Sequence, residues 1–255
     1  MIKMLYLIGI GLKPKHLTLE ALEILKNCDQ VFLENYTSEY SDGTNDELEA
    51  LIGKKFFVLG REGVEQQFES ALLSAKKNNI ALMIFGNALT ATTHLQVLID
   101  AKEAGIKYVV IPGISITNTI AETGLDEYKF GRTITICYHE KGFEPESFYD
   151  QLLENKKIGL HTLCLLDIKK DEKPERLMNC TQGIEILEKI KMKRKDKFEF
   201  EYVAMLGMAN EKQKIIIGKE NISKDDDIKN LYPQSLIVIG KANDKENEAL
   251  KKLYN

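Results

Sequence analysis

The stretch Phe85-Gly86-Asn87-Ala88-Leu89-Thr90-Ala91-Thr92-Thr93-His94 gathers small, hydroxylated and amide side chains between two apolar segments. Before it runs Ile80-Ala81-Leu82-Met83-Ile84, apolar throughout and of strand length. After it, Leu95 to Lys102 places apolar residues at helical spacing. A buried strand therefore ends, a glycine turn follows, and a helix opens with Thr92-Thr93 as its expected cap. In open α/β sheets ligands bind outside the carboxyl ends of strands. Small residues there let a ligand reach the backbone, and helix-start N–H groups donate to it. The chemistry on offer is the holding of a small molecule.

Other residues narrow that chemistry. Gly9-Ile10-Gly11 begins like a dinucleotide fingerprint, but Pro14 stands where the third glycine belongs and the next helix waits until Thr18. Glu34 sits where a ribose-binding acid would, yet without the pyrophosphate turn it does not make a nicotinamide site. The four histidines, His16, His94, His139 and His161, are scattered and have no cysteine neighbours, so no metal site is expected. There is no GxSxG elbow and no Walker loop. Glycine-rich turns at several strand ends, with no evident nucleophile, suit a reaction whose reactive group arrives on a cofactor. Methyl transfer from a sulfonium is such a reaction.

The bulk properties agree. The 255 residues, 44% of them hydrophobic, suffice for one large domain or two modest ones. A net charge of −4 and a pI of about 5.7 argue against a general nucleic-acid binder. Cys28, Cys137, Cys164 and Cys180 lie far apart with no CxxC pair, which fits reduced thiols in a cytoplasmic protein. Met1-Ile2-Lys3 with Met4 to Leu12 has the outline of a signal sequence, but a Gly-x-Gly turn interrupts it and no small-residue cleavage site follows. No apolar run approaches the ~18 residues of a membrane span. A soluble protein with no membrane partner is expected.

Strand and helix alternate along the first part of the chain. Strands are expected at Met4 to Ile10, Gln30 to Glu34, Lys55 to Leu59, Ile80 to Ile84 and Lys107 to Ile111. Helices are expected from Thr18, with Leu22, Leu25 and Cys28 on one side, over Glu62 to Lys77, and after His94; Asn35 to Thr44 reads as a polar loop. This predicts an α/β fold whose first domain, residues 1–112, is a mostly parallel five-stranded sheet. Pro112-Gly113 marks the joint, and Ser115 caps a short helix. Residues 113–255 form a second α/β domain with strands at Thr133 to Tyr138, Leu160 to Leu166, Glu201 to Leu206, Ile215 to Ile217 and Leu236 to Ile239. Its helices are expected near Ser147 to Asn155, Gln182 to Ile190 and Glu246 to Leu253, and its sheet reads as mixed. The basic run Glu188 to Lys197 reads as a solvated helix end, and Asp225-Asp226-Asp227 as a surface turn.

Leu5-Tyr6-Leu7-Ile8-Gly9-Ile10-Gly11-Leu12 with Leu17-Thr18 resembles the opening motif of the tetrapyrrole methylases. Further segments resemble the diphthine synthase family within that superfamily. They are Glu34-Asn35-Tyr36-Thr37-Ser38, Arg61-Glu62, Leu89 to His94, Tyr128-Lys129-Phe130-Gly131, and Gly159 to Lys169, in order and nearly unchanged in spacing. The resemblance implies a two-domain homodimer with S-adenosylmethionine in a cleft between the domains, leaving S-adenosylhomocysteine as by-product. It implies methylation of the amino group of a modified histidine on translation elongation factor 2, giving diphthine. Cofactor contacts carried over by position fall at Leu12, Asn87, Thr90, Ser115, Ile116, Leu166, Ala209 and Gln234. The alternatives are a precorrin-type methyltransferase and a non-catalytic binder of the elongation factor.

The family usually has Gly-Asp-Pro where this chain has Gly86-Asn87-Ala88. Loss of the carboxylate beside a cationic cofactor weakens binding by on the order of 1 kcal/mol. Methyl transfer needs a neutral amine, so a base would help. Candidates are His94, His161, Asp167 and Glu34, with Tyr36 a possible packing residue against substrate. The bland readings are a helix-start packing residue for His94, a satisfied core residue for His161, and backbone binding for the two acids. No catalytic residue is assigned.

Overall fold

The computed structural model describes residues 3–64 and 68–254. They form two compact α/β units, one running to Ile116 and including Lys169–Arg176, the other comprising Thr117–Ile168 and Leu177 onward.

In the first unit the elements run β1 (Leu5–Gly9), α1 (Leu19–Asn27), β2 (Gln30–Glu34), α2 (Asn45–Ile52), β3 (Phe57–Leu59), α3 (Phe68–Ser74), β4 (Ile80–Ile84), α4 (Leu95–Glu103) and β5 (Tyr108–Ile111). The strands pair in the order β3-β2-β4-β1-β5, all parallel. The central strands β1 and β4 are covered on both faces, which explains their unbroken apolar runs, while the edge strands β3 and β5 leave Phe57, Val58, Tyr108 and Val109 exposed. Leu5, Leu7, Ile80, Leu82 and Ile84 face one core with α3 and α4; Ile8, Ala81 and Met83 face the other with α1 and α2. The helix expected over Glu62 to Lys77 appears as Phe68–Ser74, and residues 65–67 lie outside the described residues.

Two helix starts differ from expectation. The residues after the polar loop form α2, which was not expected; Thr44 Oγ1 accepts from Glu47 N while the Glu47 carboxylate accepts from Thr44 N, a capping box. The cap of α4 is His94, not the threonine pair; its ring makes no capping hydrogen bond. Thr18 caps α1 as its sequence suggests, accepting from Ala21 N at 3.1 Å.

The chain continues with α5 (Ile116–Thr119), β6 (Ile134–Ile136), α6 (Ser147–Lys157), β7 (Thr162–Leu166), β8 (Ile168–Lys169), β9 (Arg176–Leu177), α7 (Cys180–Arg194), β10 (Tyr202–Leu206), β11 (Lys214–Ile217), α8 (Lys219–Lys224), β12 (Gln234–Val238) and α9 (Asp244–Tyr254). The second unit's five-stranded sheet has the order β11-β10-β12-β7-β6; only β6 and β7 run parallel, so it is mixed, as read from the sequence. No helix among the described residues is long and apolar enough to cross a membrane.

One buried carboxylate holds the end of this unit together. Glu246 accepts from Asn243 N, Asp126 N and the Lys129 ammonium, and lies 2.9 Å from His161 Nε2. Gly240 N donates to His161 Nδ1 at 3.0 Å, which leaves the imidazole proton on Nε2 for Glu246. His161 is thus the satisfied core histidine its apolar neighbours suggest. Burial alone would raise the Glu246 pKa, but the donors from Lys129, Asn243, Asp126 and His161 outweigh it and hold the carboxyl at about 2. A carboxyl depressed on folding contributes stability fully present above its unfolded value and lost as pH falls through the folded one. Stability from this group should therefore hold above about pH 4.5 and decline toward pH 2. Glu246→Gln should remove about 3 kcal/mol at neutral pH and flatten the acid limb, both read by urea denaturation across pH.

Candidate functional site

The parallel sheet dictates where a ligand fits. From β1 the chain crosses to α1 on one face of the sheet, whereas from β4 it crosses to α4 on the other. Because β1 and β4 are neighbours, the carboxyl ends of these two strands are the topological switch point of the sheet, the place where open α/β sheets bind ligands. Gly11, Leu12, Gly86 and Asn87 lie in the two strand exits there.

Glycine closes this corner more tightly than any side chain would permit. Gly11 N donates to Gly86 O at 3.0 Å and Gly86 N to Gly11 O at 2.9 Å, both residues having positive φ. The exit of β5 joins them: a Cβ on Gly113 would lie 2.2 Å from Gly86 O and 2.6 Å from Gly9 O. A Cβ on Gly9 would meet Gly113 N and Gly86 O at 2.7 Å. Three strand ends thus meet backbone to backbone at this corner.

The candidate residues of the first unit gather here. Leu12 is buried and its carbonyl accepts from both Ser41 N and Ser41 Oγ at 3.0 Å. Asn87 is half-buried, with Oδ1 accepting from Leu89 N at 3.1 Å, and its carbonyl accepts from Thr90 N. Ser115 is buried opposite Gly86, whose ideal Cβ would sit 3.5 Å from Ser115 Cβ, and Ile116 opens α5. In the second unit Leu166 closes β7 and Gln234 opens β12, at the same end of that sheet. The Gln234 side chain accepts from Cys180 N and donates to Ile228 O and Leu231 O, so a ligand beside it would meet its backbone. Ala209 has φ of 75°, a left-handed conformation that costs a non-glycine residue about 1 kcal/mol, and its N donates to Gln213 Oε1.

The candidate bases are tied into local structure. Glu34 is fully buried; Oε1 accepts from Tyr36 N at 2.6 Å and Thr37 N at 2.7 Å, and Oε2 from the Thr37 hydroxyl. His94 Nε2 lies 4.0 Å from Glu34 Oε2, while its Nδ1 meets the Thr92 hydroxyl. Asp167 Oδ2 accepts from Tyr138 N at 3.1 Å. Tyr36 is buried with the Arg61 guanidinium 4.9 Å from its ring centre, and Arg61 Nε donates to Asp171 at 2.9 Å. The sequence carries no local sign of that Arg61–Asp171 pair, whose members are 110 residues apart. Burial pushes the Cys164 and Cys180 thiols well above their ordinary range and Cys28 to about 11, which removes these as nucleophiles at neutral pH.

Residues 4–221 match the family model described as Tetrapyrrole (Corrin/Porphyrin) Methylases. The diphthine synthase of Methanococcus aeolicus is 36% identical over 220 residues, 85% of both chains. The diphthine methyl ester synthase of Yarrowia lipolytica is 42% identical over 177 residues, 69% of this chain but 59% of its own length, so the match spans about three fifths of that relative. The crystal structure of a candidate diphthine synthase from Entamoeba histolytica superposes with a TM-score of 0.88 at 33% identity, covering 99% of both chains.

Gly113→Ala drives a methyl group into Gly86 O and should destabilise the protein by about 3 kcal/mol, lowering the denaturation midpoint. Ala209→Gly releases a left-handed alanine and should be neutral to stabilising by up to about 1 kcal/mol in the same measurement.

Proposed function

The chain belongs to the tetrapyrrole methylase family, among the diphthine synthases, and we propose that it transfers methyl groups from S-adenosylmethionine to the modified histidine of translation elongation factor 2. The observation that carries this reading is the glycine-closed switch point at the ends of β1 and β4, in a chain that matches a diphthine synthase over 85% of both lengths. The acceptor is the amino group of the histidine modification and the product is diphthine. On the same reading the enzyme works as a homodimer in the cytoplasm.

The switch point suits such a cofactor. Gly11 and Gly86 carry no side chain in the two exits, so a ligand at the strand ends can approach main-chain groups directly. Bound there, the cofactor supplies an electrophilic methyl on sulfur. The turns at Leu12, Asn87, Thr90, Ser115 and Ile116 would hold it. Glu34, His161 and Asp167 have polar atoms committed to neighbouring groups, so the chain's part is to hold rigid turns and exclude water while the amine approaches in line.

Asn87 bears on affinity. Its side-chain oxygen is engaged by Leu89 N, so it offers a cationic cofactor no charged acceptor. Restoring the carboxylate with Asn87→Asp should tighten S-adenosylmethionine binding about fivefold by equilibrium dialysis; equal or weaker binding would contradict the electrostatic account. Thr90→Trp should block the cofactor with an unchanged denaturation midpoint, and unchanged affinity would move the site elsewhere. Methyl transfer itself is tested on elongation factor purified from cells lacking this activity. Successive one-methyl mass increments on the histidine peptide are expected, and porphyrinoid methylation in their place would overturn the reading.

A further inference from the structure

The loop between β4 and α4 carries Asn87 and Thr90, and it is pinned at both ends. At its start, Gly86 exchanges two backbone hydrogen bonds with Gly11. At its end, the His94 side chain is buried against the exit of β2, the strand beside β4. His94 Nε2 lies 4.0 Å from Glu34 Oε2, and its ring meets that of Tyr36 edge-on with 6.5 Å between centres. Glu34 is itself fixed, because its oxygens accept from Tyr36 N, Thr37 N and the Thr37 hydroxyl. Arg61 also reaches the Tyr36 ring, but its Nε is engaged by Asp171. Thr92 sets the orientation of the imidazole. Its Oγ1 accepts from His94 N at 3.4 Å and contacts Nδ1, so the hydroxyl proton serves Nδ1 and the imidazole proton stands on Nε2, toward Glu34. At 4.0 Å this is an electrostatic attraction rather than a hydrogen bond, and burial strengthens it.

Between the two pins, Ala91 has φ of 55°, a left-handed conformation that costs a non-glycine residue about 1 kcal/mol. Its side chain is exposed, so packing of that side chain does not hold it there. Strain of this kind persists only where the surroundings over-determine the backbone. Here the Gly86 corner and the His94 side chain do so from either end, and the residue before the strain is Thr90.

We propose that His94 is a positioning residue: through Glu34 it holds Ala91 left-handed and so keeps Asn87 and Thr90 in the conformation that binds the cofactor. This rests on the reading of the switch point as the S-adenosylmethionine site. A loop already held in its bound form spends no binding energy on ordering. The Glu34–His94 contact should therefore act on cofactor affinity and not on the chemical step.

The test measures S-adenosylhomocysteine affinity by calorimetry, the urea midpoint, and methyl transfer to elongation factor. The proteins are wild type, His94→Leu, His94→Gln, Thr92→Val, Ala91→Gly and the double variant His94→Leu/Ala91→Gly. His94→Leu should weaken binding about tenfold and raise KM for S-adenosylmethionine in step, with kcat at saturating cofactor unchanged. His94→Gln, whose amide N–H stands in for Nε2, should stay within about threefold of wild type. Glycine adopts the left-handed conformation without strain. Ala91→Gly alone should shift affinity by less than about twofold, but added to His94→Leu it should recover about fivefold, a rescue that a merely structural histidine would not show. Thr92→Val keeps the imidazole but loses its orienting hydroxyl, and should weaken binding about threefold. It takes the place of His94→Leu, alone and with Ala91→Gly, if that variant does not fold. A His94→Leu protein that binds within about twofold of wild type overturns the proposal. So does a His94→Gln protein as weak as His94→Leu, or a double variant that binds no tighter than His94→Leu. A fall in kcat with affinity unchanged would make His94 a base and overturns it too. Wild type that does not bind S-adenosylhomocysteine overturns the reading of the site, and the proposal with it.

Discussion

Three strand ends meeting at van der Waals distance, with no side chain between them, are the constraint on which the first unit depends. A Cβ on Gly9 or Gly113 would lie 2.2 to 2.7 Å from backbone atoms of Gly9, Gly86 or Gly113 and would have to displace them. Backbone does not yield as a side chain does, because each of these peptide groups also belongs to a strand or its exit. The contact fixes the spacing of β1, β4 and β5 at their carboxyl ends. That spacing fixes the switch point at the exits of β1 and β4, which lead to α1 and α4 on opposite faces of the sheet. Fold and candidate site are therefore one feature at this corner.

Much of this was legible in the sequence because the physical signals were local. Ile80 to Ile84 reads as a strand from its unbroken apolar run, and the structure shows why: alternate residues feed two separate cores. The mixed character of the second sheet followed from short strands without a regular helix between each pair. The helix α2 lies outside the elements the sequence predicts although Thr44 and Glu47 stand at capping-box spacing, because the polar loop before it dominates the local composition. The threonine pair before α4 suggested a cap, but Thr92 instead bonds to His94, which takes the cap position. Asn243 and Glu246 likewise form a box whose acid reaches much farther than its own helix.

What lay beyond the sequence was long-range pairing. Glu246 and His161 are 85 residues apart, and Arg61 and Asp171 are 110 apart; neither pair leaves a periodic trace. Candidate bases could be named by residue type, but their engagement could not be read. Glu34 is held by three donors of the Tyr36–Thr37 turn, and His161 by one donor and one acceptor. Their burial gives these groups structural work, which suits a reaction whose electrophile comes with the cofactor and whose protein mainly orients. The Asn87 position shows the same economy, its side-chain oxygen bracing the turn through Leu89 N.

The central claim is that the glycine-closed corner is a working cofactor site despite Asn87 and Ala88 in place of an acid and a proline. Isothermal titration of the purified protein with S-adenosylhomocysteine tests it most directly. A micromolar-range heat, saturating near one ligand per chain or per dimer, is the predicted result. A flat trace at high ligand concentration would contradict the account and leave the family membership as a statement about fold and ancestry.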